Sequence, residues 1–299
     1  CNPDERPLER LEHLSVRNMN GGDPIFDTRF PSYSTLCPRA TRVNGYWQYH
    51  TSASNDFIYT KGWTRNFDNM ANLVDHFKRT ETPVRIMPMN IYIHYYIGDR
   101  QAGLDGLKKA YDYCSNSAIA PLFTSEYVGI VEDFINLRQF ALPAGGFRIM
   151  HPGELRTIRF DNCQQYPDLH RCNGVIGYIH HQNSLYVHLN DEMQHDIYLS
   201  DNLPGQVYLK SCSHYVDKWQ ATSELVSFQM RGLGKCEFCI ANLPPANNYR
   251  LIIQKVDQHS RPAVIVNDSI STDKNGDFKF NTILKGYQGK YLVKLTRNE

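Results

Sequence analysis

The apolar pattern changes period once along this chain of 299 residues, at Leu142-Pro143-Ala144-Gly145-Gly146. Upstream, apolar residues recur at three- and four-residue steps, in stretches separated by extended runs and polar loops. Downstream, short segments alternate apolar with polar and are separated by turn signals. A helix buries a stripe and a half-buried strand buries every second side chain, so the two grammars belong to different layers. The chain is therefore expected to form two domains: an α/β domain over residues 1–145 and an antiparallel β-sandwich or jelly roll over residues 146–299. Its length fits two domains better than one.

The downstream strands are read at Leu155–Phe160, Val175–His180, Ser184–Leu189, Tyr249–Ile253 and Tyr291–Leu295. Asn275-Gly276 predicts a hairpin turn. The surrounding Asp273-Lys274-Asn275-Gly276-Asp277 faintly resembles a calcium loop but lacks the distal Glu and the flanking helices.

Upstream, Leu8, Leu11 and Leu14 predict a helix over Glu5–Val16, leading into a strand at Val16–Met19. Further helices are predicted over Phe67–Lys78, from Arg100 on the stripe Leu104, Leu107, Tyr111 and Cys114, and over Ser125–Phe140 with Ser125 as N-cap. The stretch Pro83–Tyr96 organises this half. It reads as a buried strand in which Ile91 and Ile93 point one way and Asn90, Tyr92, His94 and Tyr96 the other. A strand feeding a helix through Gly98-Asp99 is the unit of a parallel α/β fold, whose chemistry sits at the carboxyl ends of the strands, where His94 falls. The bland alternative is a histidine bonded to backbone at the edge of a core. Because an α/β alternation is already under way at Cys1, the chain is expected to be part of a longer polypeptide.

Composition narrows the ligand classes. The 32 Lys and Arg balance 31 Asp and Glu, which gives no electrostatic case for nucleic acid or an anionic membrane surface. No apolar run reaches the length of a membrane span. Asn18–Asp23 forms a glycine-bearing polar loop, and Arg29–Tyr33, Tyr46–His50, Asn55-Asp56 and Lys61-Gly62-Trp63 supply aromatics and amides. Such a mixture suits sugars, whose apolar faces stack on rings while their hydroxyls take directional hydrogen bonds; Trp47 and Trp63 serve equally well as core. Cys236-Glu237-Phe238-Cys239 has knuckle spacing without a second half, leaving a local disulfide or two unrelated thiols. Cys163 and Cys172 bracket a polar loop and are able to pair outside the cytoplasm. No His-x-x-x-His pair occurs in residues 1–145, there is no Gly-x-Ser-x-Gly elbow, and no complete metal-ligand set is evident.

Several runs carry a resemblance: Cys1-Asn2-Pro3, Asn18–Asp23, Asn55–Trp63, Pro88-Met89-Asn90-Ile91-Tyr92-Ile93-His94-Tyr95-Tyr96 and Phe123-Thr124-Ser125-Glu126-Tyr127. In this order they resemble the carboxyl-terminal part of the Pel polysaccharide deacetylase family, over residues 1 to about 160. The resemblance implies the last part of a NodB-like (β/α) barrel followed by a β-jelly roll. It implies a divalent metal such as zinc in the full-length protein, held by an Asp and two His on earlier strands that this chain lacks. There the metal polarises the acetamide carbonyl and activates water, a carboxylate acts as base, and a strand-end His protonates the leaving amine. Ile91-Tyr92-Ile93-His94 resembles the position of that acid, so His94 is the catalytic candidate. Arg29, with Pro31 and Tyr33, resembles a substrate-groove motif, although the spacing is not the usual one, and Ile97-Gly98 stands where related sequences tend to carry a small polar residue.

The expected substrate contacts are Asn20, Asp23, Arg29, Tyr49, Asn55, Trp63 and Tyr95. The expected function is de-N-acetylation of an N-acetylhexosamine exopolysaccharide in the biofilm matrix, in the periplasm or outside the cell, beside a periplasmic or outer-membrane export partner. Two other readings stand. One is a non-catalytic carbohydrate-binding or secretion-scaffold module. The other is an accessory domain of a glycoside hydrolase, for which Asp23 and Asp56 are the carboxylates to test.

Overall fold

The computed structural model describes residues 4–21, 39–51, 73–75, 77–78, 88–93, 95–99, 101–143, 145–256 and 262–298. By its contacts the chain divides into two compact units, one of residues 1–119 with 123–132 and the other of 120–122 with 133–299.

In the first unit, α1 (Glu5–His13) starts where the Asp4 side chain accepts a hydrogen bond from the Glu5 amide at 2.8 Å. It buries Leu8, whereas Leu14 is exposed, because the helix ends at His13 and Ser15 turns to positive φ. The strand expected at Val16–Met19 begins at its last residue: β1 covers Met19–Gly21. It pairs in parallel with β3 (Tyr46–Thr51), and β2 (Arg39–Val43) pairs with β3 antiparallel through Asn44-Gly45, both at positive φ. Helix α3 (Thr124–Asn136) contributes Tyr127, Val128 and Val131 to a core with Tyr49, Met19, Ala40 and Trp47.

Helix α3 differs from its expected form at both ends. It begins one residue earlier, where the Glu126 carboxylate accepts from the Phe123 amide at 2.8 Å, so Glu126 rather than Ser125 closes the first turn. It ends at Asn136, and Arg138–Leu142 is a strand, β4, pairing with β5 (Gly146–Met150) across a turn that includes Gly145 at positive φ.

A second cluster in this unit joins Leu73, Phe77, Ile97 and Ala110, with Met89, Ile91 and Ile93 packed against it. Residues 88–93 form no ladder among the described residues, so the strand predicted over Pro83–Tyr96 is absent there. The alternation survives without it: Ile91 and Ile93 pack inward and Tyr92 is exposed. The chain then enters a 3-10 turn, Tyr95–Asp99, and α2, Gln101–Asn116. Leu107 and Cys114 of the predicted stripe pack against this cluster, but the most deeply buried positions of α2 lie beside the stripe. Gly103 and Ala110 are buried while Tyr111 is exposed, since a Cβ on Gly103 would lie 2.4 Å from the Ile97 carbonyl oxygen and only glycine lets the backbones approach this closely. A (β/α) barrel is not formed by the described residues, in which β1 and β3 are the parallel pair of this unit.

The second unit is β-rich, as its alternation predicts. A four-stranded sheet runs β4-β5-β10-β7, with β7 at Tyr166–Pro167 and β10 at Gln194–Ser200. The larger sheet has nine strands. These are β6 (Thr157–Phe160), β8 (Val175–His181), β9 (Ser184–Leu189), β11 (Tyr208–Cys212), β12 (Tyr215–Ala221), β13 (Leu225–Ala241), β14 (Asn248–Val256), β15 (Ala263–Ser271) and β16 (Phe278–Arg297). Their order is β15-β14-β16-β13-β11-β8-β9-β6, with β12 also on β13.

One core lies between the two sheets: Ile149 and Ile197 from the small one meet Tyr178, Leu185, Val187, Leu189, Tyr208 and Ala241 from the large one. Another core takes Phe228, Met230, Phe238, Tyr249, Leu251, Phe278, Tyr291 and Val293 from the large sheet alone. A core supplied by one sheet requires that sheet to fold over itself. The register shift between Gly232 and Gly234 on β13 marks a bend in its long pairing with β16.

Asn275-Gly276 does not make the expected hairpin. The strands on either side of it, β15 and β16, are not paired with each other, because β14 lies between them. The turn is instead closed by Asp273, whose carboxylate accepts from the amides of Asn275 at 2.8 Å and Asp277 at 3.0 Å.

Candidate functional site

Of the residues singled out from the sequence, His94, Asp23, Arg29, Asn55 and Trp63 lie outside the described residues, as does Asp56. Asn20 is placed on β1 opposite His50, by its backbone alone. Tyr95 opens the 3-10 turn and is 99% exposed. Tyr49 is buried in the first unit's core, and its hydroxyl donates to Glu132 at 2.7 Å. Glu132 also pairs with Arg17 at 2.9 Å, which in turn donates to the Ser125 carbonyl at 2.6 Å. Burial and the Glu132 carboxylate raise the Tyr49 pKa. Its hydroxyl is thus committed to tying β3 to α3, and it is a structural group where a sugar contact was expected.

The β-rich unit holds polar groups that the sequence reading passed over. Glu154, Arg231, Asp217 and Arg156 form a chain of alternating charge. Arg231 pairs with Glu154 and stands 3.6 Å from Asp217, which stands 3.5 Å from Arg156. The Arg231 guanidinium also covers the Tyr215 ring at 4.1 Å. His195, fully buried, donates from Nε2 to the Asn190 side-chain oxygen at 2.9 Å, and burial lowers its pKa, so it is neutral. Two acids against two guanidiniums leave no net charge with which to attract an ion. The arrangement specifies pairing inside the unit.

An open cleft of about 330 Å³ lies across four strands of the large sheet, lined by Ile179, Lys210, Ser211, Glu237, Cys239, Lys279 and Asn281 together with Phe238 and Phe280. The ladder explains the grouping. Ser211 is opposite Cys239, Cys239 is opposite Lys279, and Glu237 is opposite Asn281, so one row of side chains crosses β11, β13 and β16. A register shift in β11 between Leu209 and Ser211 sets Lys210 into the same row.

The charges in the cleft are held from its edges. Lys210 Nζ meets the Asp277 carboxylate at 2.7 Å, which raises the lysine pKa. Lys279 lies 3.6 Å from Asp273, and Glu237 is held by Lys235 at 2.6 Å. The Cys239 thiol is pushed up to about 11 by burial, with Asp277 adding and Lys210 opposing, so it is a neutral thiol. Cys236, three residues away on the same strand, packs in the one-sheet core, so the two thiols are unrelated as their odd spacing requires. Cys163 and Cys172 are likewise free thiols.

Among the described residues no group of three or more His, Cys, Asp and Glu side chains could hold a metal ion, and no helix is long and apolar enough to cross a membrane. No protein-family model, curated protein or solved structure matches the chain.

Proposed function

We propose that this chain is the carboxyl-terminal portion of a metal-dependent de-N-acetylase acting on an N-acetylhexosamine exopolysaccharide. The observation that supports the reading best is the run Pro88–Asp99. Its apolar members Met89, Ile91 and Ile93 are anchored on the Leu73, Phe77, Ile97 and Ala110 cluster, Tyr92 faces out, and a helical turn follows at Tyr95. A packed segment running into a helical turn is a common place for a polar side chain to be offered to a ligand, and His94 lies in the sequence between Ile93 and Tyr95.

In this reading His94 donates a proton to the amine as the acetyl group departs. An imidazole with an ordinary pKa near 6.5 is well matched to that task at neutral pH. Work on an exopolysaccharide places the enzyme in the periplasm or outside the cell, beside an export partner.

The test is acetate release from an N-acetylhexosamine polymer by the full-length polypeptide that contains this chain, with and without chelator. His94→Ala should lower turnover by about 10²- to 10⁴-fold with the thermal unfolding curve unchanged. Near-normal turnover in that variant removes His94 from the mechanism, and no acetate from the parent removes the reading.

A further inference from the structure

We infer that the cleft across β8, β11, β13 and β16 is a binding subsite for a hexosamine unit that still carries its acetyl group. The inference rests on the proposed deacetylase reading for the choice of polymer, while the cleft itself is independent of the first unit and of His94.

The cleft has the size of a small-ligand site, at the lower end of the usual range of roughly 300–1,000 Å³. Its inner surface is the Cys239 thiol, neutral and largely buried, and the half-buried Ile179 side chain. An apolar floor of this kind suits the C–H face of a pyranose or an acetyl methyl.

The rim carries the complementary polar groups. Lys210 and Lys279 are donors with no acceptor capacity, Asn281 is both donor and acceptor, Ser211 brings a hydroxyl, and Glu237 is an acceptor. An acetamide needs this pairing, a donor for its carbonyl and an acceptor for its N–H. Lys210 is fixed in place by Asp277, which is nearly buried, so the site is partly organised before a ligand arrives. Lys279, on β16, is 68% exposed and lies 3.6 Å from Asp273.

The acetamide also sets a preference. Lys210 and Lys279 are already paired with Asp277 and Asp273, so their charges are balanced and do not discriminate. A de-N-acetylated unit has lost the carbonyl and the methyl that the rim donors and the apolar floor would meet, and losing one such hydrogen bond weakens binding about threefold or more. The β-rich unit would thus hold the unreacted polymer and release the product.

The experiment is calorimetric or NMR titration of the 299-residue chain with N-acetylhexosamine tetramers of gluco and galacto configuration, and with the same tetramers fully de-N-acetylated. Two variants address the cleft from different sides. Ser211→Trp, at an exposed position, fills it, and the double variant Lys279→Ala with Asn281→Ala removes rim donors. Both should unfold at the temperature of the parent.

The expected result is binding of an acetylated tetramer at least threefold tighter than its de-N-acetylated form, weakened about tenfold or more by each variant. No binding, binding unchanged by both variants, or equal or tighter binding of the de-N-acetylated tetramer overturns the inference. Acetate release without tetramer binding to the cleft would end this inference alone. Tetramer binding to the cleft without acetate release by the full-length protein would end the deacetylase reading alone.

Discussion

Tyr49 and the buried histidines show how single side chains are set by their surroundings. Tyr49 sits in an aromatic, polar stretch that reads equally well as sugar platform or core, and its partner Glu132 lies 83 residues away. Nothing local in the sequence reveals that bond. Tyr49→Phe keeps the ring and removes the hydroxyl, leaving Glu132 to Arg17. It should lower unfolding stability by about 1 kcal/mol, read from the denaturant midpoint, with acetate release by the full-length protein unchanged. His188, His195 and His214 are neutral because burial depresses each pKa below 6.5. The unfolded chain therefore takes up protons first as pH falls. The stability these groups allow is fully present above pH 6.5 and is lost as pH drops through the range below it. The carboxylates with lowered pKa, Asp196 and Asp273, act below their ordinary 3.8 and do not contribute to that window. The urea midpoint at pH 5.5 should fall below that at pH 7.5; an equal or higher midpoint would mean the three rings are not buried neutral.

At the level of elements, strongly periodic segments were legible and their ends were not. Helix α1 and the strands β6, β8, β9, β14 and β16 lie where alternation or stripe places them. The apolar spacing of helix α3 continues to Leu142 and predicts a helix as far as Phe140, whereas Arg138–Leu142 pairs as β4 with β5 across the Gly145 turn. Such a pairing is a long-range choice that periodicity does not encode. Asn-Gly signals behave in two ways. Asn44-Gly45 closes a hairpin between adjacent strands, whereas Asn275-Gly276 carries the chain past β14. The second turn is tightly built: Gly276 has φ +77°, and a Cβ there would lie 2.1 Å from the Leu243 carbonyl oxygen. Gly276→Ala should cost about 1–3 kcal/mol, measured by chemical denaturation. A loss within error would show that the turn relaxes freely.

On the scale of the molecule, the second half is β-rich and has its own cores, but its first strand, β4, begins at Arg138 and its compact unit takes in residues from 133 on, ahead of the change of period near Gly145. The parallel (β/α) grammar of the first half is only partly matched, since residues 88–93 pack against a core cluster without a ladder among the described residues. The cleft was illegible in advance because its row spans strands separated by up to 68 residues, from Ser211 to Lys279, and depends on a register shift in β11. A polypeptide of residues 120–299 contains every residue of the second unit and should unfold cooperatively alone. A broad, non-cooperative melt would show that it depends on the first unit.

The position of β16 has a consequence for how this half is made. It is the last strand in chain order, yet it lies between β13 and β14 and pairs with both. On the ribosome, β13 emerges some fifty residues before its neighbour exists, so the large sheet stays open until synthesis passes Arg297. A nonsense change after Asp277 would strip two inner strands of their common partner, and the shortened product should be recovered from cells as insoluble aggregate.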